Sequence, residues 1–144
     1  MTKTFLAFFV ALTLSVSANA QSDHDRNDDH SHSADFGTID DGWIALENVS
    51  AHIRAAVKAG NMGALHGLSD ELLAVTDGLA SYEDDVPQSN QLRFTSSINQ
   101  LRSLSKRLHS AHDRNDVAAA ERLVPQLNGM VQLLMVSAEG QLGY

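Results

Sequence analysis

Between residues 65 and 82, Leu65, Leu68, Leu72, Val75, Leu79 and Tyr82 follow one another at alternating intervals of three and four. An α-helix repeats every 3.6 residues, so this spacing gathers all six side chains on one face. A strand, with its period of two, would scatter them over both faces. A seam of this kind has to be covered by another helix, as in the a/d register of coiled coils. Three more segments carry the same period. Leu46, Val49, Ile53 and Ala56 form one stripe, with Trp43 near its start. Phe94, Ile98, Leu101, Leu104 and Leu108 form another, and Val117, Ala120, Leu123, Val124, Leu127, Val131 and Leu134 a third. There are two prolines in the chain and no alternating β-branched runs, which argues against a sheet.

The punctuation between the stripes sets expected boundaries. Thr38, Asp40 and Asp41 are N-cap and first-turn signals for a helix over 41–59, which Gly60 stops. Asn61 caps a second helix reaching residue 82, and Glu83-Asp84-Asp85-Val86-Pro87 breaks it. A third helix is expected over 89–112. A fourth follows over 116–138, with Pro125 inside it expected to bend it or loosen a turn. The links at 59–61 and 113–115 are so short that the first helix pairs with the second and the third with the fourth. The fold class is therefore all-α, an antiparallel up-down-up-down four-helix bundle over 39–139, with a short glycine-containing tail over 140–144. The turn sequences Ala59-Gly60-Asn61 and Asp113-Arg114-Asn115 echo each other in register, which suggests two related hairpins.

The start of the chain has a different composition. Lys3 precedes an apolar stretch from Phe5 to Val16, followed by Ser17-Ala18-Asn19-Ala20. Charged start, short apolar run and small-x-small site have the form of a cleaved secretory signal over 1–20, with the cut after Ala20. The apolar run is shorter than the ~20 residues a membrane span needs. The style of the signal points to a Gram-negative bacterium and a periplasmic location. Without Lys3 the remaining chain has nine basic and eighteen acidic residues, a net charge of −9. That balance disfavours nucleic acid and anionic membrane surfaces as partners and favours cations. With no cysteine, disulfides, thiolate metal sites, iron–sulfur clusters and covalently attached haem are all excluded.

Residues 21–38 read as a disordered His/Asp-rich tail. His24, His30 and His32 lie there with Asp28, Asp29 and Asp35. Imidazoles and carboxylates together suit Cu(II), Ni(II) or Zn(II). The plainer reading is a solvated acidic linker. A second group closes the third helix: His109, His112, Asp113 and Asp116 have the i,i+3 and i,i+4 spacings that make helical neighbours. They form a second candidate for a divalent ion. In the plainer reading the histidines complement the helix dipole and an aspartate caps the fourth helix. His52 and His66 are expected as two separate surface or boundary histidines.

Other chemistries lack their residues. The last helix offers no histidine and the first no methionine for a bundle haem, and no paired Glu-x-x-His exists for a di-iron centre. No nucleophile elbow, phosphate loop, His-Glu-x-x-His or dinucleotide turn is present, and the four stripes contain no buried polar residue that would suggest an active site. The chain is expected not to be an enzyme. Two functions remain: divalent-metal binding or buffering, and a structural or interaction role with an envelope protein partner, using Arg102, Lys106 and Arg107 as a contact surface.

Trp43, Ile53, Ala59-Gly60-Asn61 and His66, followed by Leu108-His109, Asp113-Arg114-Asn115-Asp116 and an Ala/Leu-rich last helix, carry a family resemblance over about residues 40–136. The chain resembles small exported helical-bundle proteins of Gram-negative bacteria that are often encoded beside heavy-metal efflux systems. Asn61 stands where that group usually has an acidic residue. The resemblance implies a periplasmic four-helix bundle with an accessory role in metal handling, and no ligand set.

Overall fold

The computed structural model describes residues 33–138, and the tract histidines His24, His30 and His32 lie outside them. Four helices follow in order: α1 Ile39–Lys58, α2 Met62–Ala80, α3 Gln88–Asp113 and α4 Val117–Ala138, with a short 3-10 turn at Glu83–Asp85 between α2 and α3. There is no strand among the described residues. Each helix packs on its sequence neighbours, and α4 returns to α1 to close the bundle. The α2–α3 pairing is the most extensive and the α1–α4 pairing the least. Contacts of Asp77 with Arg102, Ser69 with Ser105, and His66 with His109 run in opposite order along α2 and α3, so these two helices are antiparallel.

The stripes form the core. Leu46, Ile53, Leu65, Leu72, Leu79, Phe94, Leu101, Leu108, Leu127 and Leu134 are all fully buried. Each aliphatic side chain removed from water in this way contributes roughly 1.5–3 kcal/mol before entropy is counted. The caps follow the local signals. Thr38 and Asp41 form a reciprocal capping box, with Thr38 N–H donating to Asp41 Oδ2 at 3.0 Å and Asp41 N–H to Thr38 Oγ1 at 3.2 Å. Asn61 Oδ1 accepts from Ala64 N–H at 3.2 Å at the start of α2.

Several details differ from what the local signals lead one to expect. Helix α2 stops at Ala80 rather than residue 82, because Ser81 Oγ donates to Gly78 O and Tyr82 turns its hydroxyl to Phe36 O. Of residues 33–38, Ala34 and Phe36 pack on the bundle while the other four are exposed: Ala34 N–H donates to Ala74 O at 2.9 Å, and Phe36 lies against Gly42 and Gly78. The core does hold polar side chains, namely Ser50, Ser69, Thr76, Ser97, Ser105 and Ser137. Most donate to a helix carbonyl, so a hydroxyl fits an apolar stripe at little cost. Ser50 Oγ and Ser97 Oγ have no hydrogen-bond partner among the described residues. Helix α4 is continuous through Pro125, which is exposed.

The hairpin echo is present one residue out of the expected register. Gly60 and Asn115 hold the two left-handed positions, at φ +66° and +49°. After them, Asn61 N–H donates to Ala56 O and Asp116 N–H to Ala111 O, each at 2.9 Å. Helix α1 thus ends as α3 does, and the next helix starts from a cap one residue after the left-handed turn in both cases.

Candidate metal site

The first turns of α2 and the last turns of α3 meet at one end of the bundle. They place three imidazoles together. His66 and His109 have ring centroids 4.5 Å apart, His66 and His112 5.1 Å, and His109 and His112 6.4 Å. His66, His109 and Asp113 each present a ligand atom within 4.8 Å of the other two. Asp113 sits one turn beyond His109 on α3, with Oδ1 3.8 Å from His109 Nε2. Two ligands of one tetrahedral zinc ion lie roughly 3.4 Å apart, given bonds of about 2.0–2.1 Å. Small side-chain rotations would bring the set to that spacing.

Hydrogen bonds decide which ring nitrogens are free. Ser69 Oγ donates its one proton to His66 O at 2.7 Å. It can therefore only accept from His109 Nδ1, 3.4 Å away, and the carboxylate Oδ1 of Asp70 at 3.2 Å accepts there too. His109 must carry its proton on Nδ1, and in the neutral ring Nε2 keeps its lone pair on the side of Asp113. His112 is fixed by the same logic, since its Nδ1 lies 2.8 Å from the carbonyl oxygen of Met62, which only accepts. In the neutral ring its Nε2 likewise keeps the lone pair. Metal-ligating histidines are held in this way, with one nitrogen donating to a carboxylate or carbonyl and the other bare. Asp70 is thus a supporting group shared by two imidazoles, since its Oδ2 also lies 3.7 Å from His66 Nε2.

The candidates named from sequence fare differently. His109, His112 and Asp113 come together. Asp116 takes the capping position, its Oδ1 accepting from Ala119 N–H at 2.9 Å. His66, which spacing along the chain had set apart, joins the group, while His52 stays exposed on α1. Asp70 was not singled out at all. The signal that could have found both is an i,i+4 His-Asp pair at the start of α2, facing the equivalent pair His109–Asp113 at the end of α3. Of the basic residues offered as a contact surface, Arg102 is bound to Asp77 at 2.6 Å and Arg107 to Gln126 at 2.9 Å. Lys106 is exposed.

The described residues contain no helix long and apolar enough to cross a membrane. No protein-family model, no curated protein and no solved structure matches the chain.

Proposed function

We propose that this protein is an exported helical-bundle protein that binds and buffers a divalent transition-metal ion, as an accessory to metal handling in the periplasm. The observation that carries the reading is the pair of α3 imidazoles whose Nδ1 protons are committed to Asp70 and to the Met62 carbonyl, beside His66 and Asp113. The donor set is nitrogen and oxygen without sulfur, which suits Zn(II), Cu(II) or Ni(II).

The ligand side chains are partly open to water, 52% for His66, 35% for His109 and 58% for Asp113. Water can compete there and an ion can leave quickly, which suits buffering better than storage. The net charge of −9 expected after signal removal raises the local concentration of cations. Calorimetric titration with Zn(II), Cu(II) and Ni(II) tests the reading. Binding at one site with Kd below about 10 μM, near −7 kcal/mol, is expected, and it should weaken at least tenfold in His109→Ala. Absence of any binding at that level for all three ions rejects the function.

A further inference from the structure

The last turns of α3 carry two different groups on two faces. His109, His112 and Asp113 turn towards α2 and the histidine site. Arg107, Ser110 and Arg114 follow one another at intervals of three and four, and so share another face. With Arg122 and Gln126 of α4 they wall a cleft of about 380 Å³ between the two helices. Three of the ten lysines and arginines of the chain thus stand around one cleft, in a protein with a formal net charge of −8. Among the described residues no acidic side chain lines this cleft, and none is ion-paired with Arg107, Arg114 or Arg122. Arg102, by contrast, is neutralised by Asp77.

The side chain that does engage a guanidinium here is neutral. Arg107 Nη1 donates to Gln126 Oε1 at 2.9 Å, and Gln126 Nε2 donates to the carbonyl of Arg122 at 3.1 Å. The amide holds Arg107 against α4 without cancelling its charge, which a carboxylate in its place would do. Like charges gathered at one place repel, and an anion between them removes that cost. Guanidinium groups present planar forks of N–H donors that match the oxygens of a phosphate. Three positive charges suit a doubly charged oxyanion better than a single carboxylate.

A second cleft, also of about 380 Å³, adjoins the first and shares Arg107 and Gln126 with it. Its walls include Leu104, Gly129 and Met130. A glycine inside a helix costs stability relative to alanine. No close packing requires one at 129, since an added Cβ would meet nothing within 4 Å. Its missing side chain leaves this second cleft open. The α3–α4 face therefore joins a cationic end to a more apolar one.

We propose that this face binds a phosphate monoester, with the phosphate among Arg107, Arg114 and Arg122 and the organic group against Leu104, Gly129 and Met130. The three arginines are exposed, so water screens each contact and the affinity is modest. The site uses none of the histidine group, and the failure of either leaves the other standing.

Chemical-shift titration of the isotope-labelled protein in metal-free, low-salt buffer tests the proposal, with the amides of Ser110, Ala119 and Gly129 as reporters. The probes are phenyl phosphate and inorganic phosphate. Phenyl phosphate is expected to bind with Kd below about 1 mM, and inorganic phosphate at least fivefold more weakly. Arg114→Gln with Arg122→Gln should weaken both by tenfold or more. Gly129→Leu fills the second cleft, and should bring phenyl phosphate down to the affinity of inorganic phosphate while leaving the latter unchanged. Arg93→Gln removes one positive charge about 21 Å back along α3 and should change neither affinity by more than twofold. Absence of saturable shifts with either probe up to about 10 mM overturns the site. So does a loss in Arg93→Gln as large as that in Arg122→Gln alone, which would reduce the effect to net charge. Equal affinities for the two probes, or indifference of phenyl phosphate to Gly129→Leu, overturn the ester. The dispersed amide spectrum of each variant, expected to match that of the unaltered protein, keeps loss of fold from being read as loss of binding.

Discussion

The two ends of the bundle are built by opposite means. At one end, the start of α1 is sealed. Trp43 meets Phe94 edge to face at a centroid distance of 6.4 Å, Phe36 lies over Gly42 and Gly78, and the Tyr82 hydroxyl closes on the Phe36 carbonyl. At the other end, the turns centred on Gly60 and Asn115 leave room between α2 and α3 for three imidazoles and two carboxylates, none of them fully buried. The first end excludes water and fixes geometry through packing. The second keeps polar atoms within reach of solvent and fixes their orientation through hydrogen bonds. A bundle of this size can hold a set of half-exposed ligands because the apolar stripes and the sealed end supply its stability independently of them.

Substitutions can break this contrast or sharpen it. The largest loss of stability is expected from Phe94→Ala at the sealed end, about 3–5 kcal/mol, because a fully buried ring leaves a cavity. Urea denaturation followed by circular dichroism measures it, and a change below about 1 kcal/mol would show that the packing there is not what holds the fold. At the other end the large effect should come from the ion instead. Saturating Zn(II) at about 100 times Kd is expected to stabilise the protein by roughly 2.7 kcal/mol, and His109→Ala should abolish most of that shift in a thermal melt. Gly78→Val pushes a side chain into the Ala34 carbonyl and should cost about 1–3 kcal/mol.

Asp116→Ala separates a cap from a ligand. It should lower stability by about 1 kcal/mol and leave the Zn(II) affinity unchanged, since Asp116 caps α4. Loss of ion binding in that variant would return Asp116 to the ligand set. The smallest effect is expected from His109→Ala without metal, within about 0.5 kcal/mol in chemical denaturation, because the ring stands at a partly exposed helix end. A larger loss would mean that the imidazole group is structural.

Much of the architecture was legible along the chain because its determinants are local. The interval of three and four in Leu65–Leu79 marks a helix face whatever lies opposite. Thr38, Asn61 and Gly60 act within a few residues of their own position. The end of α2 is not legible in the sequence because Tyr82 continues the stripe, yet its hydroxyl is drawn to a carbonyl 46 residues away. The buried hydroxyls of Thr76 and Ser137 are not legible there either, because a hydroxyl that donates to its own helix looks, in sequence, like a surface residue.

The site divides along the same line. His109 and Asp113 stand one helical turn apart, so their proximity follows from α-helix geometry alone, as does that of His66 and Asp70. That the two pairs face each other is a matter of how α2 and α3 slide past one another, and no periodicity in either helix records it. The Nδ1 proton of His109 is fixed by Ser69 and Asp70 from the neighbouring helix, and that of His112 by the carbonyl of Met62, 50 residues away. The sequence by itself determined the helices, their caps and the apolar seams, because each depends on residues within one or two turns. Only the tertiary structure decided which histidines meet, which nitrogens are left bare, and that Ala34 and Phe36 pack on α2. Those facts depend on side chains distant in sequence, brought together by the burial of the seams.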